Sequence, residues 1–138
     1  MTDRLIGIDF GLSKVGLSIS DPLKIISIPL KVIKYKKREE LLSKLKEIAI
    51  ENDVKSFVIG YPLNMNNKKN EMTKFVDDFF EELKNLNFNV FLQDERLSSE
   101  SAKKIMHEQN IKTGKNKEHI DLIASTIILQ SFLDKGSF

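Results

Sequence analysis

Three carboxylates stand where chemistry could use them: Asp9, Glu95 (beside Asp94) and Asp121. Asp9 sits near the end of LIGIDF (5–10), an otherwise continuous apolar run that reads as a buried central strand, and Glu95 closes NVFLQDE (89–95), which reads as the last strand. Asp121 falls in a long apolar segment that reads as a helix over roughly 118–134. At about 100° per residue it lies between Ile128 and Phe132, inside the apolar face, and the small residues Ala124 and Ser125 one turn on would leave room beside it. A buried carboxylate costs several kcal/mol unless it is paired, hydrogen-bonded or bound to metal. Taken singly each acid has a plainer role: strand-end acids are often solvated, and an acid early in a helix gains from the helix dipole. Taken together they are the oxygen ligands a hard divalent cation wants, Mg²⁺ or Mn²⁺. Two such ions about 3.5–4 Å apart would activate a water and stabilise the leaving 3′-oxygen of a phosphodiester.

Composition narrows the alternatives. The chain has no Cys, which excludes disulfides, thiol nucleophiles and zinc–thiolate sites, and with only His107 and His119 an imidazole-rich metal site is not supplied. At 138 residues, 41% hydrophobic and 30% charged, it reads as a single domain over 1–138. No stretch approaches the roughly 18 apolar residues of a membrane span. Asp3 and Asp9 interrupt any signal-peptide core, so a cytoplasmic protein that meets no membrane is expected.

The elements that must position these acids follow from periodicity. After the first strand, VGLSIS (15–20) alternates as a half-buried strand, and Asp21-Pro22 marks a turn. IISIPLKVIKY (25–35) is a third strand that Pro29 pushes to the sheet edge. Residues 38–51 form an amphipathic helix, SFVIG (56–60) a buried strand and 61–70 a polar loop. A second helix is marked by Met72, Phe75, Val76, Phe79, Leu83 and Leu86, with Asp77, Asp78, Glu81 and Glu82 toward solvent. Ser98 can cap a short helix, and 109–117 reads as a loop before the last helix. Short turns between the first three strands predict an antiparallel meander, and helical crossovers predict parallel strands after it. The expectation is an α/β fold: a mixed five-stranded sheet with helices on both faces and its site at the carboxyl ends of the strands.

Four segments in order resemble the YqgF (RuvX) family of Holliday-junction-resolvase-like proteins in the ribonuclease H superfamily: GIDFGLSKVGLSIS (7–20), FVIGYPLNM (57–65), DERLSSESA (94–102) and HIDLIASTIILQSFLD (119–134). The resemblance implies a ribonuclease H-like fold and a divalent-metal nuclease whose metal-binding, catalytic acids are Asp9, Glu95 and Asp121. It also implies maturation of precursor small-subunit (16S) rRNA, or resolution of Holliday junctions. Lys14 stands where the family usually has Arg, which keeps the charge but loses bidentate phosphate geometry. Asn66-Asn67 stand in place of a usual Asp-Gly.

Net charge is only +2, but it is unevenly spread. Lys31, Lys34, Lys36, Lys37 and Arg38 fall within eight residues without an acid, and Lys103, Lys104, Lys112, Lys115 and Lys117 precede Asp121. Lys112, Lys115 and Lys117 could track a phosphate backbone, with Lys14, Asn64, Arg96 and Ser98 as further substrate contacts; a solvated Lys-rich face is the plainer reading. The GIDFG turn (7–11) is also similar to the phosphate turn of actin-like and sugar-kinase ATPases, but those clamp nucleotide between two domains. Three functions remain open: a nuclease on precursor rRNA, a resolvase of branched DNA, or a non-catalytic RNA-binding assembly factor, in a monomer or weak homodimer.

Overall fold

The first apolar run forms β1 (Arg4–Phe10), buried from both sides because Leu5 and Gly7 face one helix layer while Ile6, Ile8 and Phe10 face the other. The structure, a computed structural model, describes residues 4–11, 13–61, 71–94 and 117–136. β2 (Lys14–Ser20) pairs antiparallel with β1, and β3 (Ser27–Lys34) pairs antiparallel with β2. α1 (Arg38–Glu51) carries the chain across to β4 (Val54–Tyr61), parallel to β1. α2 (Glu71–Asn85) leads to β5 (Asn89–Asp94), parallel to β4, and α3 (Lys117–Lys135) ends the described chain. The sheet order is β3-β2-β1-β4-β5, so Pro29 does lie in an edge strand.

Each face of the sheet has its own core. Ile6, Ile8, Phe10, Leu17, Phe57 and Ile59 pack with Leu41, Leu45 and Ile48 of α1 and Val76, Phe79 and Leu83 of α2. Phe10 sits edge-on to Phe75 and Phe79, with centroids 5.7 and 5.1 Å away. On the opposite face Leu5 and Val58 meet Ile128, Leu129, Phe132 and Leu133 of α3. Among the described residues no helix is long and apolar enough to cross a membrane.

Four expectations change. β2 is not half-buried, because Gly16, Ser18 and Ser20 are covered by α3 rather than by water. β3 starts at Ser27 rather than Ile25, because the Ile25 and Ile26 amides donate to Asp21 Oδ1 (2.7 and 2.8 Å) and belong to the preceding turn. Not all the α2 acids are solvated: Asp77 Oδ2 accepts the Tyr61 hydroxyl (3.2 Å), and Glu82 pairs with Arg38 (2.8 Å). Lys117, expected in a loop, opens α3, whereas the short helix after Ser98 and the rest of that loop lie outside the described residues.

The Asp21 turn makes a pH-dependent contribution. The Ile26 amide, opposed by desolvation and helped by the Ile25 and Leu23 amides, holds the Asp21 carboxyl below its ordinary value. A depressed folded-state pKa stabilises the fold above the unfolded-state value and stops doing so as pH falls through the folded-state value. Urea unfolding of Asp21→Asn should therefore show a lower midpoint than wild type at neutral pH, with the gap closing below about pH 4. A gap that stays constant into acid would show that the carboxylate's charge is not what holds the turn.

Candidate active site

Asp9 and Asp121 are brought together by a glycine. In the β1–β2 ladder Asp9 is opposite Gly16, and it shares with Gly7 the face that α3 covers. α3 crosses so closely there that a Cβ added to Gly16 would stand 2.7 Å from the Asp121 carbonyl carbon and 3.2 Å from Asp121 Cβ. Cross-strand partners carry their Cβ atoms about 4.5–5.5 Å apart, which puts the Asp9 and Asp121 Cβ atoms within about 9 Å of each other. Gly7 allows the same approach about two turns along, where a Cβ would lie 2.8 Å from Leu129 Cβ.

Polar contacts lock that approach. Ser125 Oγ donates to the Gly7 carbonyl (3.0 Å), and Ser18 Oγ donates to the Ser125 carbonyl (2.9 Å) with Ser125 Oγ 3.0 Å away. The room expected beside Ala124 and Ser125 is therefore filled by the sheet, and both residues are buried. Farther along α3, Gln130 accepts the Ser27 amide and donates to the Ile25 carbonyl, while Lys135 Nζ donates to Gln93 Oε1 (3.0 Å).

Asp121 Oδ2 lies 3.2 Å from Lys14 Nζ, yet this buried oxygen receives no hydrogen bond. The two side chains are an ion pair by distance without hydrogen-bond alignment. A buried carboxylate oxygen left this way gains from a cation that approaches along its lone pairs. The Lys14 ammonium already shows that positive charge is accepted there. Asp9 and Asp121 thus fit a hard divalent ion, which takes oxygen ligands and retains several waters. Among the described residues no ready-made group of three ligands occurs, and Glu95, the remaining acid of the expected set, lies outside them.

The turn that carries Lys14 is latched by Tyr35. Its hydroxyl donates to the Gly11 carbonyl (2.8 Å), its amide donates to the Ser13 carbonyl (3.0 Å), and the Gly11 amide donates to the Lys14 carbonyl (2.9 Å). Burial pushes the Tyr35 phenol above its ordinary pKa, which keeps it a donor. Neither Tyr35 nor the Gly16–Ser18–Ser125 set was expected from sequence. Of the expected substrate contacts, Lys14 reaches the site; Asn64, Arg96, Ser98, Lys112 and Lys115 lie outside the described residues, as does the side chain of Lys117.

A mixed sheet in this order, with one helix on one face and two on the other, defines a ribonuclease H-like fold. Solved structures share this fold. Thermus thermophilus RuvC in complex with a Holliday junction substrate superposes with a TM-score of 0.57 at 10% identity, over 98% of this chain and 96% of that one. The Fowlpox virus resolvase bound to Holliday junction DNA gives 0.61 at 10% identity, over 98% and 99%. The family model for RuvX, described as Holliday junction resolvase, matches residues 3–135, and the chain belongs to that family. Relatives from Ruminiclostridium cellulolyticum (39% identical, over 96% of this chain and 94% of theirs) and Mycoplasmopsis synoviae (38%, 95% and 97%) bear the name "Putative pre-16S rRNA nuclease".

Gly16→Ala tests the close approach. Its Cβ has to displace the Asp121 backbone, so urea unfolding should show a loss of about 1–3 kcal/mol. Unchanged stability would mean that α3 does not sit as tightly over β2 as described.

Proposed function

We propose that this protein is a divalent-metal-dependent nuclease that hydrolyses phosphodiester bonds, acting on the 5′ end of precursor 16S rRNA. The observation that carries the reading is the packing of Asp121 against Gly16, the ladder partner of Asp9, with a buried Asp121 oxygen that receives no hydrogen bond. The names of the relatives point the same way on substrate. The reading carries with it a single domain over 1–138 and a monomer or weak homodimer working in the cytoplasm.

Asp9 and Asp121 would hold Mg²⁺ or Mn²⁺, with Glu95 completing the set and two ions present. Bound there, the metal would supply Lewis acidity toward a phosphoryl oxygen and lower the pKa of a water. The chain's own groups do the rest. α3 keeps Asp121 in place through Ser125, so the carboxylate needs no rearrangement when substrate arrives. Lys14 is near enough to exchange its ion pair with Asp121 for a phosphate oxygen once other positive charge satisfies the carboxylate. As a lysine it offers that phosphate a point charge rather than the fork of an arginine. Arg96, Ser98, Asn64 and the lysines at 112, 115 and 117 remain proposed substrate contacts.

The family's description favours a second reading, the same hydrolysis on a four-way DNA junction. A parallel assay separates the two: wild type, Asp9→Asn and Asp121→Asn on a precursor 16S rRNA fragment and on a four-way junction, with Mg²⁺, Mn²⁺ or a chelator. Cleavage of RNA, lost with chelator and reduced more than about 100-fold by either substitution while the unfolding midpoint holds, is the expected result. Cleavage of the junction alone would transfer the activity to DNA. Binding of RNA without cleavage of either polymer would make the chain an assembly factor, and an unfolded Asp9→Asn would make that acid structural.

A further inference from the structure

The basic run at 31–38 reads from sequence as one of two charge clusters with no stated link to the acids. In the fold it reaches them. Lys14 and Lys34 are direct partners in the β2–β3 ladder, so both side chains leave the same face of the sheet. Like charges directly opposite each other weaken a strand pair. Here the opposition stands at the end of the ladder that adjoins the acidic centre, since Lys14 is also the ion partner of Asp121. A cleft of about 520 Å³ opens at this point, lined by Ser13, Lys14, Lys34, Tyr35, Lys36 and Glu40.

The chemistry of this lining selects its occupant. Three of the six residues are lysines, and the one carboxylate, Glu40, already has Lys44 Nζ at 3.4 Å. Lys36 and the adjacent Lys37 are exposed, and among the described residues neither has a carboxylate partner, whereas Arg38 next to them is engaged by Glu82 and Asp78. The lining's one aromatic group, Tyr35, is buried, with its hydroxyl committed to Gly11 and its ring stacked on Phe75. It serves as the cleft's floor and, among the described residues of the lining, leaves no exposed ring on which a base could stack.

We infer that this cleft binds the phosphodiester backbone flanking the scissile bond, through Lys34 and Lys36 and without reading bases. The inference rests on the nuclease reading for where the scissile bond lies, but not for the binding itself. It extends the substrate path from Asp121 and Lys14 along the end of β3 toward the start of α1. A backbone held only by ammonium groups is bound in a sequence-independent, salt-dependent manner.

The test is equilibrium binding in chelator, where nothing is cleaved, of single-stranded RNA and DNA oligonucleotides of mixed sequence across a salt series. Lys34→Gln/Lys36→Gln is compared with wild type and with Lys55→Gln, an exposed lysine near the start of β4. Both cleft positions are exposed, so thermal midpoints should not move. The double variant should bind more weakly at low salt, and its log K against log[salt] slope should be shallower by about 0.7 for each phosphate no longer neutralised. Lys55→Gln should match wild type. Equal losses on RNA and DNA mark the cleft as a backbone site; a loss on RNA alone would mean that it reads the 2′-hydroxyl and would overturn backbone-only binding. A slope identical to wild type, in a protein that still cleaves, would overturn the cleft and leave the nuclease standing. A shallower slope in a protein that cleaves neither polymer would keep the cleft and remove the nuclease.

Discussion

The close seating of α3 on β1 and β2 is the constraint on which the rest depends. Two glycines, Gly7 and Gly16, remove the side chains that would hold the helix away, and Ser18 and Ser125 then bind helix to sheet through hydroxyls. A side chain at Gly7 or Gly16 would force α3 or its neighbours to shift. The site is therefore a property of the packing. Asp121 lies near Asp9 because its backbone lies against Gly16, and Gly16 is opposite Asp9.

This packing separates two tasks between the faces of the sheet. The α1–α2 face is a dry aromatic and aliphatic core in which Phe57 and Phe79 are fully buried, and its burial supplies most of the drive to fold. The α3 face is smaller and mixed: apolar contacts among Leu5, Val58 and Leu129 give way to Gly7 and the serines, and then to Asp9, Lys14 and Asp121. Asp9, Lys14 and Asp121 lie toward one end of this face. There Lys14 stands between Asp121 and the lysine-lined cleft, its ammonium the counter-ion of the carboxylate on one side and, in the proposed reading, the start of a phosphate path on the other.

Much of this was legible in residue types and spacing. The helical period placed Asp121 on the inward face, an apolar run interrupted by a single carboxylate placed Asp9 in a central strand, and Pro29 marked the edge. The helix over 38–51 has the bounds its periodicity implies. What was not legible was the meaning of small residues. Gly16, Ser18 and Ser20 alternate with Val15, Leu17 and Ile19 just as a solvent-facing set would, because a helix seated on glycine and serine leaves the same pattern as water. The Tyr35 latch was hidden for another reason: its partners, Gly11 and Ser13, accept through backbone carbonyls, which carry no side-chain signal. The cleft was hidden because only strand register reveals that Lys34 lies opposite Lys14.

The central claim is that Asp9 and Asp121 jointly hold a divalent cation. It is tested most directly by titrating Mn²⁺ into wild type, Asp9→Asn and Asp121→Asn and following the loss of the free-ion electron paramagnetic resonance signal. Saturable binding in wild type that weakens by at least about tenfold in each variant, with unfolding midpoints preserved, is the result this account predicts. Equal binding by all three folded proteins would contradict it, and would leave Asp121 as no more than the ion partner of Lys14.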